Sequence, residues 1–112
     1  MKSLILDLQD KTEDDYLDAM ALLFGFPDWW GHNLDALNDC LTTLRGPKGD
    51  EMTSFHLEVN EKIVLEVVNT AKAKFNVTNS LYSVIEGLNQ FFFEIDSNSA
   101  ILLDIRDGNT KR

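Results

Sequence analysis

The sequence predicts an α/β fold in which a small parallel sheet packs against helices. Three short apolar runs, at residues 3–8, 63–68 and 100–105, have the length and composition of buried strands. Amphipathic helical patterns separate these runs, and strands that alternate with helices usually pair in parallel through right-handed crossovers. The first connection carries two helical patterns, so the predicted order is β, α, α, β, α, β.

The first strand and the first helix are marked by a change from apolar to acidic residues. The run SLILDL at residues 3–8 predicts the strand, and Thr12 follows as a helix N-cap with Asp15 three residues later. This spacing is an acidic variant of the capping box, and the acids of the first turn are interpreted as capping groups. Gly25 and Pro27 end the helix. The apolar side chains between these signals share one helical face: Tyr16, Leu17, Met20, Leu23 and Phe24.

Both tryptophans of the chain lie in the loop FPDWWG, residues 26–31. A second helix is predicted to begin after Asn33, which is a good N-cap residue. Cys40 lies beside the apolar face of this helix and is predicted to be a buried core thiol rather than a catalytic one. The predicted buried face consists of Leu34, Leu37, Leu41 and Leu44.

The middle of the chain contains one ambiguous segment and one clear strand. Residues 45–53 are rich in turn formers and predict a loop. In the stretch 54–60, the apolar residues Phe55, Leu57 and Val59 alternate with polar ones, which predicts either an extra short strand or an ordered loop. The run IVLEVV that follows is the stronger strand prediction, and residues 69–76 are interpreted as a helical turn or connector.

An amphipathic helix and a buried strand complete the predicted fold. The helix is predicted over residues 80–93, and its final partner strand over AILLDI, residues 100–105. A frayed polar tail is expected after that strand. The predicted buried face of the helix consists of Leu81, Val84, Ile85, Leu88, Phe91 and Phe92.

Length and composition exclude several classes of function. The 112 residues fit a single domain over residues 1–112. Ten basic and 19 acidic residues give a net charge of −9, which argues against nucleic acid or an anionic membrane as a direct partner. The single cysteine, the short N-terminal apolar run and the lack of a membrane-length segment predict a cytoplasmic protein. The chain is expected to be a monomer when free and to need no cofactor.

The second predicted helix carries an unusual pair of acids. Asp35 and Asp39 are four residues apart, so they share a helix face, and like charges at this spacing weaken a helix. Asp35 lies in the first turn, where the helix dipole favours an anion, but Asp39 lies beyond it. A tryptophan beside an acidic face is typical of a protein-binding hot spot. The pattern predicts a surface for a basic partner, although a core tryptophan beside solvated acids fits it as well.

The stretch FPDWWGHNLDALNDCLTTL, residues 26–44, resembles the helix–loop–helix signature of the barstar family of intracellular ribonuclease inhibitors. The family pattern is Pro, an acid, two aromatics, Gly, a polar residue, then Asn-Leu-Asp-Ala-Leu, one variable residue and Asp. Residues 27–39 match this pattern without a gap. Over the rest of the chain, only the order of strands and helices is similar.

The resemblance implies both a fold and a binding surface. It implies a three-stranded parallel sheet with helices on one side, and a second helix that blocks the active site of a basic ribonuclease or toxin. Asp39 would take the place of an RNA phosphate, Asp35 would pair with a further basic group, and Trp29 would pack on a catalytic histidine. The remaining implied contacts are Gly31, Asn33, Leu34 and Asn38.

Two departures from the family pattern leave a different target open. The position of Asn38 is often aromatic in such inhibitors. Residues 76–80 also lack an acid, whereas the family's best-known member has a contacting glutamate near the start of its penultimate helix. The alternative is a barstar-like domain that binds a non-ribonuclease toxin or a regulator through the same face.

A metal-dependent enzyme is the third hypothesis. Its ligands would be three aspartates and one histidine, namely Asp28, His32, Asp35 and Asp39. The spacings between these residues superficially suit a divalent cation. However, His32 precedes the helix cap, so its side chain need not point along the face of the two helical acids. The sequence contains no Ser-His-Asp arrangement or glycine-rich phosphate loop that would indicate another catalytic chemistry.

Overall fold

Three parallel strands form the sheet that the sequence predicts. The computed structural model describes residues 2–47, 50–54 and 56–107. The strands pair in chain order and are β1 (Lys2–Asp7), β2 (Ile63–Val68) and β3 (Ile101–Ile105). In the register of the sheet, Leu4 pairs with Leu65, and Leu65 pairs with Leu103. Apolar side chains on one face of the sheet therefore lie side by side across all three strands.

Three helices connect these strands, and they are α1 (Glu13–Phe24), α2 (Leu34–Thr42) and α3 (Phe75–Asp96). Both α1 and α2 lie between β1 and β2, as predicted, whereas α3 connects β2 to β3. Two short 3₁₀ turns, Thr43–Arg45 and Thr70–Lys72, follow α2 and β2. No helix in the described part of the chain is long and apolar enough to cross a membrane.

The first helix begins and ends at the residues predicted from its sequence. Thr12 Oγ1 accepts a hydrogen bond from the Asp15 N–H, and the Asp15 carboxylate accepts one from the Thr12 N–H. The bond from the Thr12 N–H is the main reason why the pKa of Asp15 is lowered. Gly25 ends the helix at φ +69°, and a Cβ at this position would overlap with Ser54. Both the backbone conformation and the close approach of Ser54 require glycine here.

The burial pattern places the helices on one face of the sheet. The inward-facing side chains of β2 are fully buried, namely Ile63, Leu65 and Val67. On the opposite face, Ile5 of β1 and Leu102 of β3 are exposed, and their β2 neighbours Glu66 and Val64 are half-buried. The core therefore lies between a single face of the sheet and the helices.

This core contains the thiol of Cys40 and the phenol of Tyr16. Cys40 is completely buried, so the prediction of a core thiol is confirmed, and burial raises the pKa of that thiol. Burial likewise raises the pKa of Tyr16 to about 12. The largest fully buried side chains include Tyr16, Phe24, Phe92, Leu6, Leu8 and Met20.

The segment 54–60 is an ordered loop without a strand among its described residues. Leu57 is buried, and its N–H donates to the carbonyl of Leu44 at 2.7 Å. The Ser54 N–H donates to the carbonyl of Phe24 at 2.8 Å, so the loop is bonded to the end of α1 and to the 3₁₀ turn that follows α2. Phe55, which belongs to the predicted alternation, lies outside the described residues, and Val59 is exposed.

Two predictions about α3 are wrong in detail. The helix spans 22 residues, instead of residues 80–93, and begins after Lys74, which makes no side-chain capping bond. The start was missed because lysine is not a typical N-cap residue and because Val77 and Thr78 are β-branched. Phe91 is exposed rather than buried, because the adjacent Phe92 occupies the inward position four residues after Leu88. Of the predicted frayed tail, residues 108–112 lie outside the described residues, whereas Asp107 is not frayed, since its carboxylate accepts hydrogen bonds from the N–H and Oγ1 of Thr70.

A buried guanidinium joins the turn after α2 to the loops before β2 and β3 and to the end of α3. The Arg45 side chain is 2% exposed and donates to the Asp96 carboxylate at 3.3 Å. It also donates to three backbone carbonyls at 2.6 to 2.8 Å, those of Glu61, Asn98 and Ser99. The guanidinium lies 5.1 Å from the ring centroid of Phe92. The sequence places Arg45 in a turn-rich loop, so this role of its side chain was not predicted.

Replacing Arg45 with alanine should lower the free energy of unfolding by at least about 3 kcal/mol, because three backbone carbonyls and Asp96 lose a donor whose side chain is buried. Urea unfolding followed by circular dichroism measures this loss. Arg106→Ala is the matched control, since the Arg106 side chain is 65% exposed and its removal should cost less than about 1 kcal/mol. Equal losses in the two variants would contradict the structural role of Arg45.

Candidate protein-binding site

The loop between α1 and α2 exposes one tryptophan and packs the other. Trp29 is 73% exposed, whereas Trp30 is half-buried and packs against the core. The rings of Trp30 and Phe26 meet edge to face with 5.0 Å between centroids. The backbone N–H of Trp30 donates to the carbonyl of Pro27 at 3.1 Å, which closes a turn between them. Because of this turn, the two neighbouring indoles have different environments.

His32 ties this loop to α1. Its Nε2 lies 2.6 Å from Asp18 Oδ1, and its ring centroid lies 5.2 Å from that of Trp30. The hydrogen bond with Asp18 is the main cause that raises the pKa of His32. His32 also adopts φ +54°, a left-handed conformation, immediately before the N-cap residue of α2. The pair was not predicted, since a separation of 14 residues between two polar side chains gives no local signal.

Asn33 closes the loop and begins α2, as predicted. Its Oδ1 accepts a hydrogen bond from the Ala36 N–H at 2.8 Å, and its Nδ2 donates to the carbonyl of Gly31 at 3.3 Å. A Cβ at Gly31 would lie 3.0 Å from the Cβ of Ala36, so a larger residue would push the loop away from the helix. The side chain of Asn33, although exposed, therefore already has a structural role within the chain.

The acids of α2 point away from the core. Asp35, Asn38 and Asp39 are exposed, whereas Leu37, Cys40 and Leu41 of the same helix are buried. Within residues 2–47, 50–54 and 56–107, neither Asp35 nor Asp39 forms a salt bridge. Their two negative charges are therefore available to groups outside the chain.

An acidic cavity of about 400 Å³ lies between the N-terminal ends of α1 and α2. Asp15 is used by the capping box, whereas Glu13 and Asp14 line the cavity together with Asp35. From the sequence, all three early acids are interpreted as capping groups. A capping box uses only the acid at its third position, which is Asp15 here. This rule is the sequence signal that leaves Glu13 and Asp14 without a role in the capping box.

Leu34 is the one residue of the predicted buried face of α2 that is not buried. It is 37% exposed because it lies between this cavity and a second one of about 410 Å³ against α3. Its neighbours along the predicted face are fully buried, namely Leu37, Leu41 and Leu44. Leu34 therefore belongs to the surface rather than to the core.

All seven residues predicted to contact a partner are exposed on the loop and the adjoining helix. They are Trp29, Gly31, Asn33, Leu34, Asp35, Asn38 and Asp39. The loop and α2 thus expose an aromatic ring, a leucine and two carboxylates within eleven consecutive residues, 29–39. This arrangement can present negative charge and apolar area to the same partner.

The metal-ligand set suggested by the sequence is not assembled in the described part of the chain. There, no three His, Cys, Asp or Glu side chains come together in an arrangement that could hold a metal ion. The Nε2 of His32 lies 2.6 Å from Asp18 Oδ1, and Asp18 does not belong to the suggested ligand set. The hypothesis of a metal-dependent enzyme therefore receives no support from the arrangement of Asp28, His32, Asp35 and Asp39.

The fold and this surface together define a small α/β protein that presents an acidic helix beside an aromatic loop. A family model described as Barstar (barnase inhibitor) matches residues 1–84, which include the whole of this surface. The chain belongs to the barstar family, so the resemblance seen in the sequence is confirmed. Members of this family are inhibitors rather than enzymes. No curated protein is significantly similar to the chain in sequence.

Trp30→Ala should lower the free energy of unfolding by about 2–3 kcal/mol, because it removes a half-buried ring that packs on Phe26 and the core. Trp29→Ala should change it by less than about 0.5 kcal/mol, as expected for an exposed side chain. Denaturant melts of the two variants measure both values. A larger loss for Trp29→Ala than for Trp30→Ala would show that the roles of the two rings are reversed.

Proposed function

We propose that the protein is a cytoplasmic immunity protein that inhibits a basic ribonuclease of the barnase type. It blocks the active site of that enzyme with α2 and the preceding loop. The observation that carries this proposal is the exposed pair Asp35 and Asp39, whose carboxylates form no salt bridge within the described residues. Membership of the barstar family supports it.

The chemistry of a ribonuclease groove explains why two helical carboxylates suit this role. Such a groove binds successive phosphates with basic side chains. Asp39 occupies the place of a phosphate there, and Asp35 pairs with a further cation. Carboxylates can bind arginine in a bidentate manner but cannot be cleaved as a phosphodiester can. Because both acids stand on one helix, little conformational entropy is lost when they bind.

The loop supplies the apolar part of the proposed contact. Trp29 packs on the enzyme's catalytic histidine, and its exposed indole is the aromatic anchor of the interface. Leu34 adds apolar area beside it. Gly31 and Asn33 provide close backbone and small side-chain contacts, since both are exposed at the turn that precedes the helix.

A second candidate target is a non-ribonuclease toxin or a regulatory protein. The observation that favours it is Asn38, which is exposed between Leu37 and Asp39 where related inhibitors often carry an aromatic ring. A smaller side chain at this position reduces the apolar contact with a ribonuclease. The same acidic surface would still attract another basic protein, so inhibition assays are needed to separate the two targets.

The wild-type protein should abolish RNA cleavage by barnase at a 1:1 ratio. The Asp39→Ala variant should inhibit at least about thirtyfold more weakly, because a buried basic group of the enzyme loses its partner. The thermal stability of Asp39→Ala should equal or slightly exceed that of the wild type, since the variant removes a like-charge pair. Inhibition curves and melting curves measure the two effects.

Glu86→Ala is the matched control for this experiment, because it removes one exposed negative charge from α3 instead of α2. It should leave inhibition within about twofold of the wild type, as is usual for a remote surface charge. Equal effects of Glu86→Ala and Asp39→Ala would contradict a contact role for Asp39. A wild-type protein that leaves barnase active would contradict the ribonuclease proposal and favour the second target.

Salt should slow the association of the complex much more than it accelerates dissociation. The net charge is −9, and residues 1–50 hold 10 acidic and 4 basic residues, so the charge is concentrated in the half that contains α1 and α2. Screening beyond ~8–10 Å at physiological ionic strength weakens the long-range attraction of a basic partner. Stopped-flow kinetics at several salt concentrations measure this, and an association rate that does not change with salt would contradict electrostatic steering.

A further inference from the structure

The contact between His32 and Asp18 links the tryptophan loop directly to α1. His32 approaches Asp18 at 2.6 Å, and it lies between Trp30 and Asn33, the two residues that fix the loop on either side. We propose that His32 and Asp18 are a proton-dependent positioning pair that holds the Trp29 loop in the conformation seen here. This inference goes beyond the family match, since it concerns two residues outside the predicted contact set.

The backbone of His32 shows why the loop needs this contact. A side chain with a Cβ is less favourable than glycine at φ +54°, although histidine is enriched there, so contacts of the His32 side chain help to hold this loop conformation. The side chain supplies two such interactions, the hydrogen bond to Asp18 and the packing of its ring on Trp30. Loss of the bond to Asp18 would leave this backbone conformation with less support.

The acidic groups around His32 favour its protonated form, and protonation strengthens the contact with Asp18. Asp18 and Asp14 on α1 both favour the imidazolium form, and Asp28 is the acid of its own loop. Glu13 and Asp35 line the same cavity as His32. The contact with Asp18 is charge-assisted while the ring is protonated, and it becomes weaker when the ring is neutral.

The direction of the pH dependence follows from the raised pKa of His32. A group whose pKa is higher in the folded state stabilises that state fully below its ordinary pKa, which is about 6.5 for histidine. This stabilisation is lost as the pH rises through the raised value. We therefore expect the loop to be held most firmly in mildly acidic solution and to loosen as the pH rises above the raised pKa of His32.

Two measurements on the free protein test the pair, with Asp18→Asn as the variant and Asp10→Asn as the control for charge. Asp10 lies outside both helices at φ +58°, a conformation that asparagine tolerates well. NMR titration of the two histidines, assigned with His32→Gln, should show a lower midpoint for His32 in Asp18→Asn, with little change in Asp10→Asn.

Hydrogen exchange of the Trp30 amide at pH 6 gives the second measurement, because this amide donates within the loop. Exchange should be about two- to fivefold faster in Asp18→Asn than in the wild type, the range expected for one exposed ion pair, and unchanged in Asp10→Asn. A His32 midpoint that does not respond to Asp18→Asn, or equal exchange in both variants, would overturn the inference.

The consequence for binding rests on the proposed function and is measured separately. With barnase as the probe, Asp18→Asn should increase the dissociation rate about two- to fivefold more than Asp10→Asn does at pH 6. This difference should shrink as the pH rises through the His32 midpoint, which a merely structural role of Asp18 would not cause. If barnase is bound by no form of the protein, the proposed function fails, while the titration and exchange results still decide whether the pair exists.

Discussion

The buried guanidinium of Arg45 connects the C-terminal end of α2 to three segments that are distant from it in sequence. This side chain donates to backbone carbonyls in the loops before β2 and β3 and to Asp96 at the end of α3, so segments distant in sequence share one donor. A charge with so little contact with water is tolerated only because several acceptors surround it. The short 3₁₀ turn that carries Arg45 follows α2 directly, so these bonds hold the C-terminal end of the helix to the loops before β2 and β3 and to the end of α3.

The N-terminal end of α2 is fixed by a different kind of contact. Here Asn33 caps the helix, and His32 connects the preceding loop to Asp18 of α1. These contacts lie at the surface and involve exposed side chains, so each contributes less than the buried contacts of Arg45. The C-terminal end of the helix is thus held by a buried side chain, and its N-terminal end by exposed ones. The exposed ring of Trp29 lies in the loop that precedes the N-terminal end.

The sequence allowed the fold to be predicted where local chemistry was sufficient. The capping box of Thr12 and the N-cap Asn33 operate over three residues, and the apolar run of β2 reflects burial on one face of the sheet. It did not reveal the contacts of Arg45, because they join residues up to 54 positions apart. For the candidate site, the motif indicated the exposed loop and the outward-facing acids. Glu13 and Asp14 joined this surface only once the packing of α1 against α2 was known.

The repulsion between Asp35 and Asp39 shows how this small protein can carry an unfavourable charge pair. Two like charges one turn apart cost a helix only a few tenths of a kcal/mol. Each fully buried leucine of the same segment contributes about 2 kcal/mol, and Leu37, Leu41 and Leu44 are all fully buried. The stabilising free energy from burying these leucines therefore exceeds the cost of the like-charge pair by roughly an order of magnitude. The helix remains folded although both carboxylates are exposed. A cation placed between them would relieve the repulsion, so the feature that slightly weakens the free helix is also one that favours a basic partner.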